Sequence, residues 1–267
     1  MDPAYLLLLV ALGAMTGFVA GLLGIGGGMV MVPFLTMLLS ARGFPAQHVI
    51  KVAIATSLTT ILFTSLSSVR AHHRRGAVLW DVVKTLAPGI LLGSLVGSKI
   101  ASYMDSRLLA FVFAGFVGFS GWQMLKNRKP KPSRQLPGTA GRIGAGTVIG
   151  TLSAIVGAGG GFISVPFMTW CNVKIHNAVA TSAALGFPIA LSGTIGYVIA
   201  GRSVELPSGT LGFVYLPALA AIAVTSVLTA PLGARTAHAL PTDKLKRVFA
   251  LVLFALAAYM LWKGLST

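Results

Sequence analysis

The sequence predicts an all-α polytopic membrane protein built from two inverted repeats of about four to five hydrophobic segments each. Three observations carry that prediction. Of the 267 residues, 55% are hydrophobic and only 10% charged, with a mean hydropathy of +0.84, whereas a soluble domain carries about a quarter charged residues. The chain also divides into apolar runs, many of them near the ~20 residues that cross a bilayer. Finally, one glycine-rich stretch occurs twice. Residues 24–34 read GIGGGMVMVPF and residues 157–167 read GAGGGFISVPF.

Taken in order, the runs are 4–23, 29–40, 52–69, 78–101 and 108–125, then 143–156, 162–171, 177–199, 213–237 and 248–262. The first 23 residues lack the basic start of a signal peptide and match the segment near residue 150, so they are read as structure. The runs after each glycine cluster are short for a full span and read as halves of re-entrant hairpins or as short crossings. Pro88 predicts a kink in the fourth run. Residues 126–141 are basic and proline-rich and form the one clear linker. Residues 1–125 are then the first membrane repeat, 126–141 a cytoplasmic linker and 142–267 the second repeat.

Charge sets the orientation. The formal net charge of +16 would suggest nucleic acid in a soluble protein, but in a membrane protein basic residues gather in cytoplasmic loops. With the linker inside and five segments per half, 15 of the 21 basic residues fall inside. An odd number of segments per half also inverts one repeat with respect to the other. Lipid is therefore the expected surrounding, with no nucleic-acid partner. The single Cys171 excludes an intramolecular disulfide.

The doubled stretch is the candidate site. Glycines break a membrane helix, and irregular backbone at that depth is tolerated only where protein or a water-filled cavity surrounds it. Paired interrupted segments at corresponding places in two halves point to a transporter's binding site. Gly24, Gly26, Gly27 and Gly28 in one copy and Gly157, Gly159, Gly160 and Gly161 in the other free backbone N–H groups and permit close approach of a ligand. Helices starting just beyond them, near Pro33 and Pro166, would point positive ends at the gap, which suits an anion. Close helix packing through small residues is the competing use of such glycines.

The triplet Ala-Thr-Ser also recurs, with Thr56 and Ser57 in the first half and Thr181 and Ser182 in the second. Their hydroxyls are candidates to donate to the same ligand, or else to bond within and between helices. Lys51 and His176 stand five residues before each Thr; each either adds positive charge at a cavity mouth or snorkels to the headgroups. His72 and His73 read as solvated in a basic turn, Lys99 and Arg235 as helix-end anchors, and His48 and His238 take no role. The five acids, Asp2, Asp81, Asp105, Glu205 and Asp243, all lie near segment ends. A proton or sodium relay through intramembrane carboxylates is therefore not expected. Enzyme motifs are missing, with no H-E-x-x-H, no G-x-S-x-G and no phosphate loop, and no cofactor or metal is implied.

The two glycine stretches (21–35 and 156–168), the two triplets and PLGARTAHAL at 231–240 resemble the TauE/SafE family of membrane transporters, over nearly the whole chain. The resemblance implies an inner-membrane carrier of small sulfur-containing anions such as sulfite or a short organosulfonate like sulfoacetate, acting as an exporter. A carrier for another small solute, or an anion channel, remains the alternative.

Overall fold

The computed structural model describes residues 2–23, 27–126, 135–236 and 242–266. Helices α1 (Pro3–Leu23), α2 (Gly28–Ala41), α3 (Val49–His73), α4 (Trp80–Tyr103) and α5 (Ser106–Lys126) make up the first half. The second half has α6 (Thr139–Val156), α7 (Gly161–Trp170), α8 (Ile175–Ala200), a two-stranded hairpin, α9 (Leu216–Thr236) and α10 (Thr242–Ser266). Among the described residues, eight helices are long and apolar enough to cross a membrane. The 14-residue α2 and the 10-residue α7 span about 21 and 15 Å, well short of a ~30 Å hydrocarbon core.

Each short helix is bounded in the same way. Gly27 (φ 69°) precedes α2 and Gly160 (φ 74°) precedes α7, both in the left-handed region that glycine enters at little cost. At the other end Gly43 (φ 76°) and Asn172 (φ 64°) are left-handed. There Phe44 N donates to Leu39 O at 3.1 Å and Val173 N to Met168 O at 2.9 Å, a closure that satisfies carbonyls a helix end leaves free.

One boundary differs from the apolar pattern. Residues 213–237 read as one run, yet Val214–Tyr215 pairs antiparallel with Thr210–Leu211 and the helix starts only at Leu216. Pro217 sits in the first turn of α9, where its missing N–H costs nothing.

The core is made by helices from both halves. The most extensive packing joins α4 to α6 and α1 to α9, along stripes of glycine. On α1, Gly13, Gly17 and Gly21 face Ile222, Ser226 and Ala230; on α4, Gly89, Gly93 and Gly97 face Ile143, Thr147 and Thr151. A glycine every fourth residue clears one helix face and lets backbones touch. Numbers rise together along both pairs, so each pair is parallel. The buried α3 and α8 cross antiparallel, with Gly193 against Leu58 and Gly186 against Ile61 and Ser65. In α5 and α10, Gly121 meets Ala250 and Gly264 meets Ala110, again antiparallel. Leucines such as Leu7, Leu92, Leu228 and Leu251 stay exposed on the outer helices, as a lipid-facing surface requires.

Candidate functional site

The chain doubles back at both glycine clusters, and the clusters touch. Gly27 lies where a Cβ would come within 2.5 Å of the Thr16 carbonyl oxygen, seven residues before α1 ends. Gly160 lies against Ile189, Ile149 and the Ser153 hydroxyl. A Cβ on Gly28 would overlap the Gly157 carbonyl oxygen and come within 2.9 Å of Ala158 Cα. Both are backbone atoms with no room to give. Ser57, buried on α3, donates to that same Gly157 carbonyl at 2.9 Å. Gly24 and Gly26 lie outside the described residues.

The two threonines of the repeated triplet do matching work. Tyr215 N, just ahead of α9, donates to Thr56 Oγ1 at 3.0 Å. Leu79 N, just ahead of α4, donates to Thr181 Oγ1 at 3.0 Å. Each hydroxyl thus satisfies a backbone N–H at the start of a helix in the other half, as a capping oxygen does. Replacing either Thr with valine leaves that N–H unpartnered, and the expected loss is about 1–3 kcal/mol. A lower melting temperature in both variants, read by tryptophan fluorescence in detergent, checks this; an unchanged one would show the bonds to be dispensable.

Ser182 and Gly159 reach a small cavity that also involves Ala20, Ile61, Thr64, Ser65, Ser68, Ala183 and Gly186. Its volume is about 10 Å³, room for roughly one water. Ser164 donates to Ser182 Oγ at 2.8 Å, and Thr64 shares a 2.7 Å hydrogen bond with Ser226. Ser68 is 2% exposed and its hydroxyl has no hydrogen-bond partner among the described residues. The cavity lies at the start of α7, whose first turn has no side-chain cap, and no charged side chain lines it.

Several predicted residues sit elsewhere. Thr56, Ser57 and Thr181 do not line the cavity, because the distant backbone groups above already hold them. Lys51 is 7% exposed and its ammonium donates to Ser102 O at 2.7 Å, at the end of α4; it lies 5.9 Å from the Phe213 ring. It is a buried tie between helices rather than a snorkelling residue. His176 is exposed in the first turn of α8. His48, between α2 and α3, has its pKa lowered by burial and then by Lys51, so it adds no positive charge near neutral pH. His72 is 1% exposed rather than solvated, because α3 continues to His73 and turns His72 to the face that carries Ser65 and Ser68. His73 is exposed and accepts a bond from Trp80 Nε1 at 3.1 Å. The stretch of 231–240 lies in the described region only as far as residue 236.

Thr64, Ser65 and Ser68 were not singled out by the sequence. The signal was available: polar residues at 61+3, 61+4 and 61+7 of an apolar helix share one face. Helices this apolar place such residues against protein or water rather than lipid.

The family model described as "Sulfite exporter TauE/SafE" matches residues 9–260. The chain belongs to this family. It is 36% identical over 262 residues to a probable membrane transporter protein of Haemophilus influenzae, covering 97% of this chain and 99% of the relative. A probable membrane transporter protein of Methanocaldococcus jannaschii is 25% identical over 256 residues, covering 95% and 94%. The Bacillus subtilis probable membrane transporter protein YdhB is 28% identical over 238 residues, covering 86% and 89%. No solved structure matches the chain. This TauE/SafE member is a multi-pass membrane transporter and not an enzyme.

Proposed function

We propose that this transporter moves a small sulfur-containing anion, sulfite or a short organosulfonate such as sulfoacetate, across the cell inner membrane by alternating access. The observation that carries the reading is the cavity at the start of α7. Gly159 and Ser182 line it with the hydroxyl-bearing Thr64, Ser65 and Ser68, and no acid enters it. An uncapped helix start favours negative charge, and serine hydroxyls donate to oxyanions. A cation site would need carboxylates or clustered carbonyls, and no group of acids, histidines and cysteines suited to a metal occurs among the described residues.

The two halves, 1–125 and 142–267, act as inverted repeats about the basic linker 126–141. What supports this is the antiparallel crossing of α3 with α8 and of α5 with α10, each pair holding equivalent places in its half. Threonines of equivalent position, each accepting from the N–H ahead of an equivalent helix (α9 and α4) in the other half, support it too. The tiny cavity fits a closed form, which must open to either side for a ligand larger than water to pass. Of the two glycine clusters, Gly27 and Gly28 on one side and Gly157, Gly159, Gly160 and Gly161 on the other form the frame of the site, and Ser182 its wall.

The test is thermal stabilisation of purified protein by sulfite, sulfoacetate, acetate and sodium, followed by flux of the best ligand in proteoliposomes. Sulfur oxyanions are expected to raise the melting temperature more than acetate does, and Gly160→Leu is expected to abolish flux while still inserting. A shift with cations alone would overturn the anion reading. Flux at unitary channel rates would replace the carrier by a channel.

A further inference from the structure

A second polar feature lies beyond the cavity. Where α3 and α9 end, a cleft of about 460 Å³ is lined by Ser67, Arg70, Ala71, Arg74, Arg75, Pro231 and Arg235. Four of these seven residues are arginines, and all four are exposed. Three come from the end of α3 and the turn after it, and one from the last turn of α9, in the other half of the chain. Among the described residues none of the four is paired with a carboxylate.

The two helices are fastened to each other ahead of the cleft, three residues before Arg70 on α3 and eight before Arg235 on α9. Ser67 Oγ donates to Val227 O at 2.8 Å, and Thr64 shares its hydrogen bond with Ser226. The cleft is therefore held open by bonded helices rather than formed by long side chains meeting by chance. A basic residue in the last turn offsets the negative end of a helix, and that would account for one arginine per helix. It does not account for four around one opening.

We infer that this cleft is a binding site for an oxyanion of the sulfate or phosphate kind, offered either by a soluble anion or by the headgroup of an anionic phospholipid. Guanidinium groups carry paired N–H donors that match such oxygens two at a time. Four arginines at one opening, unpaired with carboxylates among the described residues, also raise the local concentration of anions. Arg235, read from the sequence as a helix-end anchor, supplies the far wall of this site. The site stands apart from the cavity at the start of α7. Ser68 turns to that cavity, whereas Ser67 and Arg70, one residue before it and two after it on α3, point to other faces of the helix.

The test uses the purified full-length protein in nanodiscs of phosphatidylcholine alone, titrated with sodium sulfate by calorimetry. A parallel preparation in phosphatidylglycerol-containing nanodiscs is examined by native mass spectrometry for retained lipid. The double variant Arg74→Gln with Arg235→Gln is compared with a charge-matched control, Arg107→Gln with Arg202→Gln. Saturable sulfate binding that weakens at least tenfold in the first variant, holds in the control and falls as sodium chloride rises supports the site with a soluble occupant. Retained phosphatidylglycerol lost in the first variant alone supports it with a lipid occupant. Neither ligand binding at the cleft, or equal losses in both variants, overturns the inference. Because binding is read without flux, failure here leaves the transport reading untouched, and failure of transport leaves this site standing.

Discussion

Replacing Gly28 with alanine is expected to abolish transport, with a fall in melting temperature that is small by comparison. A Cβ at this position would overlap the Gly157 carbonyl oxygen and press on Ala158 Cα and Ser57 Oγ, the last at 3.0 Å. The first two are backbone atoms of the opposing glycine cluster, so relief requires separating the two clusters. That separation also breaks the hydrogen bond from Ser57 to Gly157 O. Overpacking of this kind costs about 1–3 kcal/mol, which a stable membrane protein can survive. The geometry of the site cannot survive it, because a shift of about 1 Å in a positioned group can reduce function a hundredfold. Flux in proteoliposomes, normalised to inserted protein, is the measurement. Gly115→Ala is the control, since nothing lies within 4 Å of a Cβ there and alanine is the better helix former. Flux near normal in Gly28→Ala would remove the contact between the clusters from the transport site.

The two clusters were legible in the sequence because their signal is local. A run of three glycines with a proline five residues on is rare enough inside an apolar span to mark a break without any knowledge of its partner. The helices were legible for the same reason. What escaped depends on residues far apart in the chain. Thr56 and Thr181 stood out as a repeated pair, yet their partners, Tyr215 N and Leu79 N, are backbone groups in the other half, and no side-chain pattern announces a backbone donor. Arg235 reads as an anchor on its own helix and gains a further role only when α9 is laid against α3. The second strand of the hairpin, Val214–Tyr215, was hidden because with Phe213 it is as apolar as the helix that follows. His72 failed differently: its spacing from Ser65 and Ser68 was visible, but the helix was expected to stop at Val69, short of it, whereas α3 runs to His73.

The last expected result separates the frame from the site. Gly93→Ala and Gly17→Ala each place a Cβ against backbone at a parallel helix pair, α4 with α6 and α1 with α9. At Gly93 the Cβ would overlap Thr147 O, and the Thr151 hydroxyl that donates to Gly93 O at 3.0 Å would be displaced. At Gly17 it would overlap the Cα and carbonyl oxygen of Ser226. Each variant is expected to lose about 1–3 kcal/mol, because in a bilayer helix association rests on close packing rather than on exclusion of water. The two interfaces share no residue. Their effects should therefore add to within about 0.5 kcal/mol in the double variant, as read by denaturation in mixed micelles. Flux per folded molecule should stay near normal in either single variant, in contrast to Gly28→Ala. A strongly non-additive double variant would mean that the two helix pairs yield together. The glycine stripes would then belong to the moving parts of the transporter, and loss of flux in Gly28→Ala would no longer single out the contact between the clusters.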